Sequence, residues 1–161
     1  MRRANKIFNN ISVNSNCFTA FVLPLLEYCA PVWSSAAPSH LRLLDRVLSG
    51  ARFLTDRARS YNLWHRRDIS SLCMLYKIRA NSNHFLHQYI PRTMCRTRDT
   101  RASRAAHFLS ITAFRCRTDQ FSRCFLPSSV RLWNSLGSCV FDGTDSVSLF
   151  KSRANRFLLG S

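Results

Sequence analysis

Apolar positions recur at helical spacing along most of the chain, and they predict a mainly α protein. From the first residues to Tyr28 the pattern reads as helix, carrying Phe18, Phe21, Val22, Leu25 and Leu26. Pro24 kinks or interrupts that helix, because its ring displaces a backbone hydrogen bond. "APVWSSAAPS" (30–39) reads as a connector with two prolines. The clearest helix follows in "PSHLRLLDRVLSGARFL" (38–54), where Leu41, Leu44, Leu48, Ala51 and Leu54 form one stripe. Arg42, Asp45, Arg46, Ser49 and Arg52 fall largely opposite, and Asp45 is placed to pair with Arg42, a contact worth about 0.2–0.5 kcal/mol. A third helix runs from about Leu63 to Arg79 with Ile69, Leu72, Cys73 and Tyr76 as its stripe and Arg66 and Arg67 at an exposed start. "NHFLHQYI" adds a short helix ending before Pro91.

After Pro91 the periodicity fades. Residues 92–118 hold seven Arg against one acid, Asp99, and the first half of this stretch has almost nothing to bury. An irregular arm is expected, with "HFLSITAF" (107–114) as a candidate short strand. "FLPSSVRLWNSL" (125–136) then reads as a helix: Pro127 suits its first turn, Val130, Trp133 and Asn134 fall at i, i+3 and i+4, and Leu132 and Leu136 line a second face. Apolar surface on two sides implies burial on two sides. The turn "FDGTD" leads to a last amphipathic helix with Val147, Phe150, Ala154, Phe157 and Leu158 on one face and Asp145 or Ser146 as N-cap. The expected organisation is a helical region over 1–90, an arginine-rich arm over 91–118 and a C-terminal helical segment over 119–161, with room for one short strand pair.

Charge changes this picture more than composition does. A chain of 161 residues that is 46% hydrophobic can bury a core, but it carries 24 Lys+Arg against 8 Asp+Glu, a net charge of +16. All but Lys6, Lys77 and Lys151 of those cations are Arg, the residue suited to bidentate phosphate contacts and to stacking on bases. Nucleic acid is the first expected partner and an anionic membrane surface a distant second. Candidate phosphate contacts are Arg66, Arg67, Arg92, Arg96, Arg98, Arg101, Arg104, Arg115 and Arg117. Aromatics interleave with these cations (Trp33, Trp64 beside Arg66, Phe114 beside Arg115, Phe121 near Arg123), although aromatics at helical spacing are more often core.

Other chemistry finds little support. Seven cysteines without pairing rhythm and without C-x-x-C read as reduced thiols of an intracellular protein, nuclear or cytoplasmic. A zinc site from Cys95, Cys116, Cys124 and His107 would match no common ligand spacing. One Glu and seven scattered Asp offer no paired carboxylates for two-metal catalysis, and the closest acids, Asp142 and Asp145, belong to a turn. No phosphate-cradling glycine motif occurs. Cys73 with His65 could form a dyad only if Cys73 left its apolar stripe. His84 and His87 read as surface residues, and no cofactor is expected. The longest apolar run, "CFTAFVLPLL" (17–26), is half the length of about 20 residues that a membrane span needs, and the polar gap "NNISVNSN" before it argues against a signal peptide.

Five runs, in order, carry a family resemblance: "FVLPLLEYCAPVW" (21–33), "HLRLLDRVLSGARFLT" (40–55), "RRDISSLCMLYKI" (66–78), "RCRTDQFSRCFLPSSVRLWNSL" (115–136) and "FKSRANRFLL" (150–159). Together they resemble the C-terminal part of the reverse transcriptase of non-LTR retrotransposons of the jockey-like kind, over nearly the whole chain. The V-L-P-x-L-E-Y-C and F-L-P-x-x-x-R-L-W-N-S-L runs are the specific ones. The resemblance implies a thumb-like helical bundle over about 1–90 that holds a template–primer duplex by its backbone. It implies a following segment in which the Trp133 helix packs back onto the protein while the arginine arm faces RNA or DNA. The family's catalytic Tyr-x-Asp-Asp turn has no counterpart here, so the expected product is a fragment that retains nucleic-acid binding without the catalytic palm, its missing partner. The alternatives are a host-recruited nucleic-acid-binding module, a non-functional relic whose two-sided helices lack partners, and, more remotely, a membrane-surface protein using its basic C-terminal helix.

Overall fold

The computed structural model describes residues 18–52, 63–94, 107–144 and 146–160. These residues form a mainly helical, multi-helix fold without a sheet. The chain divides into two compact units, Met1–Arg67 and Asp68–Ser161. The division falls inside a helix and well before the change of texture near residue 90, because that helix supplies buried residues all along its length.

In the first unit, a five-residue π-helical turn, Phe18–Val22, runs into α1, Leu23–Glu27, and Pro24 sits in the first turn of α1. Proline has no N–H for the i−4 carbonyl, so the interruption expected there takes the form of a π-turn followed by a fresh α-start. The stretch read as a connector contains α2, Ala30–Trp33, with Pro31 in its first turn, where a missing N–H is harmless. Cys29 links the two in the left-handed region (φ 51°), and the Trp33 indole N–H donates to the Tyr28 carbonyl at 2.6 Å. The long helix α3, Pro38–Arg52, buries Leu41 and half-buries Leu44. Its Asp45 pairs with Arg67, at 3.3 Å, instead of the Arg42 expected from spacing. Leu23 and Leu63 form a small core with Leu26 beside them.

The helix α4 spans Leu63–Ala80. Within the second unit its stripe is wider than Ile69, Leu72, Cys73 and Tyr76: Leu75 and Ile78 are fully buried as well. A 3-10 turn, Phe85–Tyr89, follows, started by His84, whose Nδ1 accepts the Leu86 N–H. α5, Asp119–Arg123, is capped by the Thr118 hydroxyl. α6, Phe125–Ser135, and α7, Val147–Leu159, lie where the periodicity put them. Ser146 is the N-cap of α7, accepting the Leu149 N–H at 3.2 Å. Gly143 takes a positive φ (56°) in the turn between them.

The core of this unit answers what α6 is buried against. Trp133 is 2% exposed; its ring lies 4.7 Å from Phe141 and 5.6 Å from Phe150, and Phe150 stacks in turn on Tyr76 at 4.6 Å. Val130, Leu136 and Val140 complete the layer. The two-sided helix therefore finds both covers within its own chain.

Part of the expected arm is packed into the unit's core. Residues 107–114 have irregular backbone yet are held against the core, with Ile111 fully buried and His107 and Ser110 buried beside it. The candidate strand reduces to one antiparallel bridge, Thr93 with Ile111. The bonds of that bridge run from the Met94 N–H to the Ser110 carbonyl and from the Thr112 N–H to the Arg92 carbonyl, while the N–H and carbonyl of Ile111 itself are taken up by a side chain of α6.

Candidate nucleic-acid interface

The candidate arginines among the described residues separate into two kinds. Arg66 and Arg67 occupy the start of α4 and are committed to their own unit. Arg66 grips Glu27 in a two-bond fork, Nε to Oε1 and Nη2 to Oε2, the latter at 2.7 Å. Arg67 is 2% exposed, contrary to the exposed start expected from sequence. Its guanidinium lies 5.0 Å from the Trp33 ring centre and 5.2 Å from that of Trp64, and Nη2 donates to Asp45. Burying a guanidinium requires both a counter-ion and polarisable faces, and Asp45 and the two tryptophans supply them. Two aromatics expected to interleave with surface cations thus hold an internal one.

Arg92, Arg115 and Arg117 are exposed in the second unit. The backbone of Arg92 is held in place. The Met94 N–H donates to the Ser110 carbonyl at 2.8 Å, and the Arg92 carbonyl accepts from both the N–H and the hydroxyl of Thr112 at 3.1 Å. Arg115 and Arg117 follow on the stretch between Phe114 and the Thr118 cap of α5. Phe114 and Phe121 meet edge to face at 6.2 Å, and Arg123 is drawn away to Asp119 at 2.9 Å. Arg96, Arg98, Arg101 and Arg104 lie outside the described residues.

Sequence spacing carries no sign of the residues that anchor the 107–111 stretch. Arg79 donates through Nη1 to the Leu109 carbonyl at 2.9 Å and through Nη2 to the Thr93 hydroxyl at 3.3 Å, with its guanidinium 5.1 Å from the Trp133 ring centre. Burial pushes its pKa down, though a guanidinium retains its proton at neutral pH. The Trp133 indole N–H donates to the same Leu109 carbonyl at 3.0 Å. His107 stacks on Phe141 at 4.4 Å and donates from Nε2 to the Trp133 carbonyl at 3.0 Å, while Nδ1 is buried without a partner. Burial lowers the His107 pKa, the bond to Trp133 partly opposes this, and nearby Arg79 adds to the lowering. All of these contacts join side chains to backbone across long sequence separations, where periodicity holds no information.

Of the zinc candidates, Cys95 lies outside the described residues and the His107 Nε2 is committed to Trp133. Among the described residues no three His, Cys, Asp or Glu side chains gather around a point that could hold a metal ion. Cys73 packs against the core and burial pushes its thiol pKa up, which suits packing more than nucleophilic use. His84 and His87 are half-buried, unlike the free surface positions expected. No helix among the described residues is long and apolar enough to cross a membrane.

In the second unit Arg92 is therefore exposed on backbone bonded to Thr112, and Arg115 and Arg117 are exposed on the stretch after Phe114. Exposed arginines of this kind can bind phosphate oxygens without reading sequence. No family model matches the chain, and neither a curated protein nor a solved structure does.

Proposed function

We propose that this chain binds RNA or DNA through its backbone and is the thumb-like and following portion of a non-LTR retrotransposon reverse transcriptase, separated from its catalytic palm. The observation that carries the reading is the exposure of Arg92, Arg115 and Arg117 in a chain with a net charge of +16. A polyanion relieves the self-repulsion of such a charge and releases its own counterions on binding. The five ordered sequence runs support the family assignment, and no catalytic role is assigned to this chain alone. In the first unit Phe21, Leu25, Tyr28 and Val32 are each at least 70% exposed, and the reading puts the missing palm against that side.

A second reading, a host-recruited binding module, is favoured by the closed core around Trp133, since a unit that covers its own aromatic helix can stand without the palm. The two readings share the binding activity. Changing Arg92, Arg115 and Arg117 together to Ala tests it. Binding should weaken about equally on every sequence, and the slope of log K against log salt should shrink by roughly 0.9 for each phosphate no longer neutralised. A weakening confined to one sequence contradicts backbone binding.

A further inference from the structure

We propose that Phe121, braced by Phe114 and preceded by the exposed Arg115 and Arg117, is a stacking platform for an unpaired base of single-stranded RNA or DNA. The inference rests on the nucleic-acid reading above and goes beyond it: backbone binding needs no aromatic ring, and a ring cannot stack on a base already paired inside a duplex.

Four observations converge. Phe121 leaves 42% of its surface in water. It meets Phe114 at 88° between ring planes, so the two rings do not cover each other face to face. Its position is fixed, because its own N–H donates to the Thr118 hydroxyl at 3.2 Å and Phe114 is packed against the unit's main core. The two residues on either side of Cys116, between Phe114 and the cap of α5, are exposed arginines, and Arg123 is turned to Asp119. A fixed, exposed ring with exposed cations four and six positions before it in the chain combines the two elements that track a single strand: the guanidinium groups take phosphates and the ring takes a base. A second exposed aromatic pair, Phe85 and Tyr89 at 5.5 Å, has no arginine on its own turn and serves as the comparison.

The test uses the full chain and four labelled probes: a uridine homopolymer of about 20 nucleotides, its deoxythymidine counterpart, an abasic strand and a duplex of equal length. Phe121→Leu keeps the apolar contact with Phe114 and removes the aromatic face, Phe121→Tyr keeps the face, and Phe85→Leu is the control. At one ionic strength, Phe121→Leu should weaken single-strand binding about tenfold, leave the abasic strand and duplex unchanged, and be rescued by Phe121→Tyr. Weaker binding of both homopolymers, or of one of them, supports the platform and identifies the sugar it accepts. Wild-type affinity of Phe121→Leu for both single strands overturns the platform while salt-dependent duplex binding still supports the backbone reading. Equal weakening on all four probes, or the same weakening from Phe85→Leu, overturns it too. A wild-type chain that binds none of the probes removes both claims together.

Discussion

Asn134 and Ile111 exchange two hydrogen bonds: the Ile111 N–H donates to Asn134 Oδ1 at 2.8 Å, and Asn134 Nδ2 donates to the Ile111 carbonyl at 2.7 Å. One side chain of α6 thereby completes the backbone of a buried, irregular residue that no strand partner serves. Asn134→Ala leaves both groups unpaired away from water, and each such group costs about 1–3 kcal/mol. The expected outcome is a destabilisation of about 2–4 kcal/mol, read as a lower denaturant midpoint at unchanged slope. A change within about 0.5 kcal/mol would mean that water reaches Ile111.

Arg79 holds three things at once: the Leu109 carbonyl, the Thr93 hydroxyl and the face of Trp133. Arg79→Lys preserves the charge and removes the fork and the planar stack. It should destabilise the second unit by about 1–2 kcal/mol and speed hydrogen exchange at Met94 and Thr112, the amides that staple the two segments. Unaltered exchange there would show that the staple stands without the clamp.

His107 makes the second unit sensitive to acid. Burial holds its folded pKa below the ordinary 6.5, so the unfolded chain takes up the proton first as pH falls. The contribution is fully present above the unfolded value and is lost as pH drops through the lower folded value. His107→Gln keeps a donor for the Trp133 carbonyl and cannot charge. Stability measured from pH 7.5 down to about 4.5 should fall less steeply in this variant than in wild type. Parallel curves would sink the assignment.

Cys29 carries its side chain at φ 51°, a conformation that disfavours a Cβ. Cys29→Gly should stabilise the first unit by about 0.5–1 kcal/mol, offset in part by the greater freedom of glycine when unfolded. Thermal unfolding followed with and without the substitution checks the sign, and a lower Tm contradicts the strain.

What is legible in the sequence depends on whether local spacing decides the outcome. α6 and α7 are legible because Val130, Trp133, Phe150 and Ala154 repeat at helical intervals and are all buried. α5 is not, since "DQFSR" has one apolar residue and owes its start to the Thr118 cap. Arg67 reads wrongly as exposed because a charged residue defaults to the surface. Its burial requires Trp33 and Asp45, which stand 34 and 22 positions away. The stretch 107–114 reads as part of an arm because its partners, Thr93, Arg79 and Asn134, belong to other segments. Composition alone names the arginines, but separating Arg92, Arg115 and Arg117 from the internally held Arg66 and Arg67 requires the fold.

The most direct measurement is a titration of the purified 161-residue chain with a labelled RNA–DNA hybrid at about 50 and about 200 mM salt, alongside size-exclusion chromatography of the same sample. Monodisperse protein whose affinity falls at least about a hundredfold between the two salts is expected, because several arginine–phosphate contacts release that many counterions. Monodisperse protein that does not bind, or that binds independently of salt, contradicts a backbone-binding role.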